Sequence, residues 1–335
     1  MSTNDTRKSQ LLSLKLRALV RDHLGPSAGD GFVPAVFARG AAVRESGNIW
    51  VLVAEQTGRG LGPALLWALK EGATSLNVLA ESGTGTLARQ ADYFDFPIRV
   101  WHVSDRSLLP AVAESFAEAS PPSPEHAAFV ELITQGGATP VVEHGIVRGE
   151  VMGLEVCRAV DDPVTGEPRL EVGMGAHDRE AFAMLHGNRP TVEALADVVE
   201  NVKLHRRPGA GPHPFNRIAP ERMLRATLLD NPHLIGAAWL EPVDPPVPRT
   251  NVLDTVPCVA RGTDERGNSI VVVVTSGADP DVVPFALDAR ARVDESLATR
   301  SELLIALPAT HITPTNRRAL ELAKSAARFV ELDFA

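Results

Sequence analysis

Three apolar runs, separated by stretches of helical period, constrain the first third of this 335-residue chain more than any other feature. NIWVLVAE (48–55) is almost continuously apolar, as a parallel strand must be when both its faces are covered. GPALLWALKEG (62–72) follows as a helix, with Pro63 suited to the first turn and Gly72 to the C-terminal cap. SLNVLAES (75–82), GTLARQADYF (85–94) and PIRVWHVS (97–104) continue as strand, helix and strand. Such β-α-β-α-β order implies an open parallel sheet with right-handed crossovers.

Residues 30–118 are therefore expected to form a Rossmann-like α/β segment. The preceding residues 1–29 place Leu11, Leu12, Leu14, Leu16 and Leu19 among interleaved bases, the pattern of an amphipathic surface helix. Prolines in ASPPSPEH break the alternation and mark a linker at 119–124. A helix over 125–135, the strands PVVEHGIVRGEV, MGLEVCRAV and RLEVGMGA, and helices from Asp178 and Thr191 then make a mixed α-β-β-β-α module, 125–240. EPVDPPVPRTN (241–251) is a second proline-rich joint. Beyond it, 252–335 returns to alternation, with strands NSIVVVVTSG, SELLIALPA and ARFVELDF and helices near 279–292 and 314–326. This last segment either completes the first sheet or forms a layer of its own. The fold class is thus α/β: Rossmann-like alternating segments at both ends and a mixed module between them.

Composition narrows the class of protein. No run of about 18 apolar residues exists, so no membrane span is expected, and Lys15, Arg17 and Arg21 interrupt what would be a signal peptide's apolar core. Two cysteines, Cys157 and Cys258, suit a reducing cytoplasm and exclude a disulfide framework or a cysteine zinc cluster. A net charge of −9 argues against a protein that coats nucleic acid with its whole surface, though not against one local groove.

The stretch closest to chemistry is GLEVCRAVDDPVTGEPRLEVG (153–173). Alternation along a strand puts Leu154, Val156 and Val160 on one face and Glu155 and Cys157 on the other. In the second run Leu170, Val172 and Met174 form the apolar row, with Glu171 and Gly173 opposite. Glu155 and Glu171 then share the less apolar face of two antiparallel strands. That face is either solvated or a site where a hard divalent ion, Mg²⁺, reconciles two like charges.

An acidic helix, three strands with an acid in the second and third, and a following helix resemble the PD-(D/E)XK nuclease superfamily over roughly 124–205. Gly153-Leu154-Glu155-Val156 matches its second-strand position and Leu170-Glu171-Val172 its third. The resemblance implies a metal site at Glu131, Glu155 and Glu171, with the ion activating water for phosphodiester hydrolysis. It also implies a lysine two residues after Glu171, where this chain has Gly173. Lys203 is the nearby substitute.

Two further stretches carry possible sites. GRGLGPALL (58–66) lies between a strand and a helix, where Gly58, Gly60 and Gly62 could cradle a phosphate and Glu81 hold a ribose hydroxyl. Tight turns after parallel strands explain the same glycines. KLHRRPGAGPHPFNRIAPERMLR (203–225) is locally basic, through Lys203, Arg206, Arg207, Arg217, Arg222 and Arg225, and would position a nucleic-acid strand. The expected function is a cytoplasmic nucleic-acid-processing protein with a nuclease-like divalent-metal site. The alternative is a non-catalytic scaffold that binds a nucleotide or a protein through its Rossmann-like segments.

Overall fold

The apolar runs of the first segment form the centre of a six-stranded sheet. The computed structural model describes residues 3–25, 32–35, 37, 40–54, 58–118, 120–186, 191–207, 213–247 and 256–333. They divide into two compact units: 1–116 with 278–292 and 312–328, and 117–277 with 293–311 and 329–335. Among the described residues, no helix is long and apolar enough to cross a membrane.

The first unit opens with α1 (Thr3–Leu24), β1 (Val33–Ala35), β2 (Gly40–Glu45) and β3 (Asn48–Val53). It continues through α2 (Leu61–Lys70), β4 (Ser75–Ala80), α3 (Thr84–Ala91), β5 (Ile98–Ser104) and β6 (Ser107–Pro110). β3, β4 and β5 pair in parallel, whereas β1, β2 and β6 pair antiparallel at the flanks, so the sheet is mixed. Ser46 and Gly47, both at positive φ, make the tight β2–β3 turn. Strand order follows chain order from β1 to β6. The crossovers from β3 to β4 and from β4 to β5 therefore advance in one direction, and among the described residues this sheet lacks the reversal at which a doubly wound fold opens its dinucleotide crevice. α1 packs Leu16, Leu19 and Val20 into a core with Trp50, Leu52, Leu79 and Trp101, while Leu11 and Leu14 stay exposed.

The second unit begins with α4 (Pro124–Ala127) and α5 (Phe129–Gln135), followed by β7 (Thr139–Glu143), β8 (Ile146–Val151), β9 (Leu154–Asp161) and β10 (Pro168–Val172). Then come α6 (Ala176–His186), α7 (Val192–His205), α8 (Pro214–Arg217), α9 (Pro220–Asp230) and β11 (Ala237–Val243). PVVEHGIVRGEV is two strands rather than one, because His144 and Gly145, both at positive φ, turn the chain. The module is a four-stranded antiparallel meander, β10-β9-β8-β7. Leu154, Val156, Leu170 and Val172 pack on its apolar face with Ile133 of α5 and Leu195, Val199 and Val202 of α7.

Strict alternation fails once. β8 and β9 pair Gly149 with Cys157 but Glu150 with Glu155, so Val156 is the extra residue of a bulge. The bulge reverses the phase downstream. Cys157 and Ala159 enter the core, contrary to the expectation for Cys157, and Val160 leaves it. Arg158 consequently joins Glu155 on the polar face.

β12 (Cys258–Asp264), β13 (Ser269–Val274), α10 (Val282–Leu297), β14 (Glu302–Leu307), α11 (Pro314–Glu321) and β15 (Ala327–Glu331) complete the chain. Its strands, with β11 at one edge, form a separate five-stranded sheet and add nothing to the first. The expected joint at 241–251 is partly strand: Glu241, Pro242 and Val243 belong to β11, where an edge tolerates the proline. Residues 248–251 of that joint lie outside the described residues. The boundary between units falls near the first proline-rich joint and not at the second.

A repeat emerges in topology that the sequence shows at no fixed period. An antiparallel strand pair followed by helix, strand, helix and strand occurs as β2-β3-α2-β4-α3-β5 and again as β12-β13-α10-β14-α11-β15. The chain turns into β5 and into β15 through equivalent residues, Phe94 and Ala323, which form an antiparallel bridge. Its hydrogen bonds are reciprocal: the Asp95 amide donates to the Leu322 carbonyl at 2.7 Å, and the Lys324 amide to the Tyr93 carbonyl at 2.9 Å.

Candidate functional site on the polar face of the middle sheet

The β10–β9 register sets Glu171 beside Arg158, and the bulge at Val156 brings Glu155 onto the same face. Glu155 lies 3.2 Å from Arg148 Nε through one carboxylate oxygen, and 3.6 Å from Arg179 and 3.9 Å from Arg158 through the other. Glu171 accepts from Arg169 at 2.8 Å on one oxygen, and its other oxygen lies 3.4 Å from Arg179 and 3.5 Å from Arg158. Arg158 and Arg179 each therefore contact both glutamates.

The same face continues into a buried network. Arg148 reaches Glu143 at 3.1 Å, Arg225 donates to Glu143 at 2.6 Å, and Arg222 bridges Glu143 and Glu150. Glu143, Glu150, Arg222 and Arg225 are each no more than 5% exposed, so α9 lays its two arginines over the sheet's acids. Burial alone would raise the Glu143 carboxyl. The Arg225 and Arg222 guanidinium groups overcome that effect and hold it at about 2. Buried charges persist only when paired and hydrogen-bonded, and here each acid has more than one guanidinium.

The remaining acid and lysine of the resemblance lie elsewhere. Glu131 is exposed on α5 and accepts from Gln135 at 3.0 Å. Lys203 is on α7 and donates to Glu200 at 2.9 Å. Both helices pack on the apolar face, opposite Glu155 and Glu171. Nor is there room for a lysine at position 173. Gly173 has φ +136°, and a Cβ there would stand 2.7 Å from the Arg179 amide nitrogen. Among the described residues, no group of three or more His, Cys, Asp or Glu side chains could hold a metal ion.

The glycine turn meets a carboxylate of the protein itself. Asp281 accepts from the Gly60 amide at 3.1 Å and the Gly62 amide at 2.8 Å, so the donors a phosphate would need at the N-terminus of α2 are already engaged. The Gly58 carbonyl accepts from Gln90 Nε2 at 3.4 Å. Gly60 serves close packing as well: it has φ +114°, and a Cβ would stand 2.6 Å from a Val53 methyl. Glu81 is paired with Lys15 of α1.

Three of the six cations of the basic stretch 203–225 are internal. Arg206 is fully buried and donates to the carbonyls of Met152, Phe215, Ile218 and Ala219, while Arg222 and Arg225 belong to the network above. Burial lowers the Arg206 guanidinium to about 10. Arg207 and Arg217 are exposed, and residues 208–212 lie outside the described residues.

Sequence reasoning found the two glutamates and missed the arginines that hold them. The available signal was local: each strand that carries a candidate glutamate also carries arginine, as in Glu155 with Arg158 and Arg169 with Glu171. Compared with known proteins, the chain matches no family model, no curated protein and no solved structure.

Proposed function

We propose that the chain is a non-catalytic binding or scaffold protein whose middle module is a platform locked by ion pairs. The observation that carries this reading is the sharing of Arg158 and Arg179 between Glu155 and Glu171. Two like charges on neighbouring strands require a cation between them. A divalent ion would supply one in a nuclease, and here guanidinium groups occupy that role. The burial of Arg206, Arg222 and Arg225 supports the same reading, because cations held in an internal network are not free to take phosphates.

The test is direct. Full-length protein is incubated with Mg²⁺ or Mn²⁺ and single- or double-stranded DNA and RNA, and the products are resolved by gel. No metal-dependent cleavage is expected. Cleavage that requires metal and disappears in Glu155→Gln would replace this reading with the nuclease-like one.

A further inference from the structure

The α1 face of the first sheet changes character along its parallel strands. Toward their carboxyl ends it is apolar, with Leu52, Leu79 and Trp101 packed under the helix. Toward their amino ends the same face presents Asn48 beside Ser75, then Trp50 beside Asn77 beside Arg99. α1 ends at Leu24, with the His23 ring edge-on to Trp101 at 4.6 Å and to Trp50 at 5.8 Å. The polar rows beyond it line a cleft of about 440 Å³, within the usual range for small-molecule sites.

Hydrogen bonding in this cleft is incomplete in a patterned way. Trp101 Nε1 donates to Asn77 Oδ1 at 3.0 Å. The neighbouring Trp50 is 4% exposed; its Nε1 has no acceptor among the described residues, but the atom is sealed from solvent and offers the cleft no donor. Asn77 is 6% exposed, and with its oxygen taken by Trp101 its amide nitrogen has no acceptor among the described residues. Arg99 is exposed at the rim, again without a carboxylate partner among them. On the other side, Asn48 Oδ1 accepts from Ser75 at 2.5 Å, and Glu45, which also lines the cleft, accepts from Asn48 Nδ2 at 3.4 Å on one carboxylate oxygen. The Asn77 and Arg99 donors thus lie along one side and acceptors along the other, with one guanidinium and one carboxylate in balance.

We propose that this cleft binds a neutral planar heterocycle of nucleobase size, with ring carbonyls toward Asn77 and Arg99 and a ring N–H on the Glu45 side. His23 and the indoles supply the aromatic wall on which such rings stack. The proposal rests on reading the chain as a binding protein, but it concerns a different sheet from the ion-pair network. Its failure therefore leaves that reading to be decided by the metal-dependent cleavage assay.

Calorimetric titration of the full chain with uridine, guanosine, adenosine and benzoate tests it. Uridine or guanosine is expected to bind one to one, and adenosine, which lacks ring carbonyls, more weakly. Asn77→Asp keeps an acceptor for Trp101 and removes the amide donor, and should weaken binding about tenfold. Arg99→Ala, at an exposed position, should weaken binding with the melting temperature unchanged, so a folding defect in the Asn77 variant cannot obscure the result. Absence of heat with all three nucleosides, equal affinity for adenosine, binding of benzoate alone, or affinity unchanged in both variants would overturn the assignment.

Discussion

Glu171 faces Arg158 across the β9–β10 pair, with Arg158 Nε 3.5 Å from a Glu171 oxygen, and the same guanidinium lies 3.9 Å from Glu155. This relationship turns two glutamates that would repel each other into parts of one alternating network. The network extends through Arg148 to Glu143 and the arginines of α9.

Its deepest acid should be the most costly to lose. Glu143→Gln leaves Arg222 and Arg225 buried without a full countercharge and is expected to destabilise the protein by about 3–5 kcal/mol in denaturant melts. The pH dependence has a definite sign. The folded carboxyl sits at about 2, below its unfolded value of about 4.3. Its stabilisation is therefore complete above the unfolded value and is lost as pH falls toward the folded one. Wild type should lose stability steeply across that window and Glu143→Gln less steeply. Equal slopes would show that Glu143 is not held by its arginines.

Installing the lysine of the resemblance should harm the fold without creating activity. Gly173→Lys places a Cβ against the Arg179 amide at a φ that L-residues avoid, a cost of about 1–3 kcal/mol from the backbone alone. A variant as stable as wild type in thermal melts, or one that gains Mg²⁺-dependent cleavage, would contradict the geometry at this position.

At the other candidate turn, Asp281→Ala removes the acceptor for the Gly60 and Gly62 amides and should cost about 1–2 kcal/mol. Gly60→Val should also destabilise, because its Cβ would collide with Val53. Thermal melts that leave either variant at the wild-type midpoint would show that the α2 N-terminus is not packed and capped in this way.

Limited proteolysis should distinguish the two proline-rich joints. Residues 120–123 precede α4 without regular structure and are mostly exposed, whereas 241–243 are hydrogen-bonded in β11. Early cuts are expected in the first joint, and early cutting within 241–243 would mean that β11 is not stably paired.

Much of the fold was legible because NIWVLVAE, SLNVLAES and the valine run after Asn268 are covered strands whose apolar continuity is visible in one dimension. β1 and β6 were not, since they are short flanking strands with little pattern. The bulge at Val156 left no trace either. It inserts one residue without a special residue type, yet it decides that Cys157 is core and Arg158 faces the glutamates. Candidate carboxylates were visible as LEV repeats. The acids Glu143 and Glu150 were not, because their partners Arg222 and Arg225 reach the sheet from a helix far along the chain, and a basic run reads the same whether it is solvated or buried. Asp281, which occupies the glycine turn, is likewise remote in sequence.

The central claim, that guanidinium groups rather than a divalent ion hold Glu155 and Glu171 together, is tested most directly by thermal melts of wild type and Glu171→Gln, each with and without Mn²⁺. Glu171 is partly buried and contacts Arg158, Arg169 and Arg179, so the substitution is predicted to lower stability by about 1–2 kcal/mol, with Mn²⁺ shifting neither protein. A variant more stable than wild type without metal, together with a Mn²⁺-dependent rise in melting temperature seen only in wild type, would contradict the account.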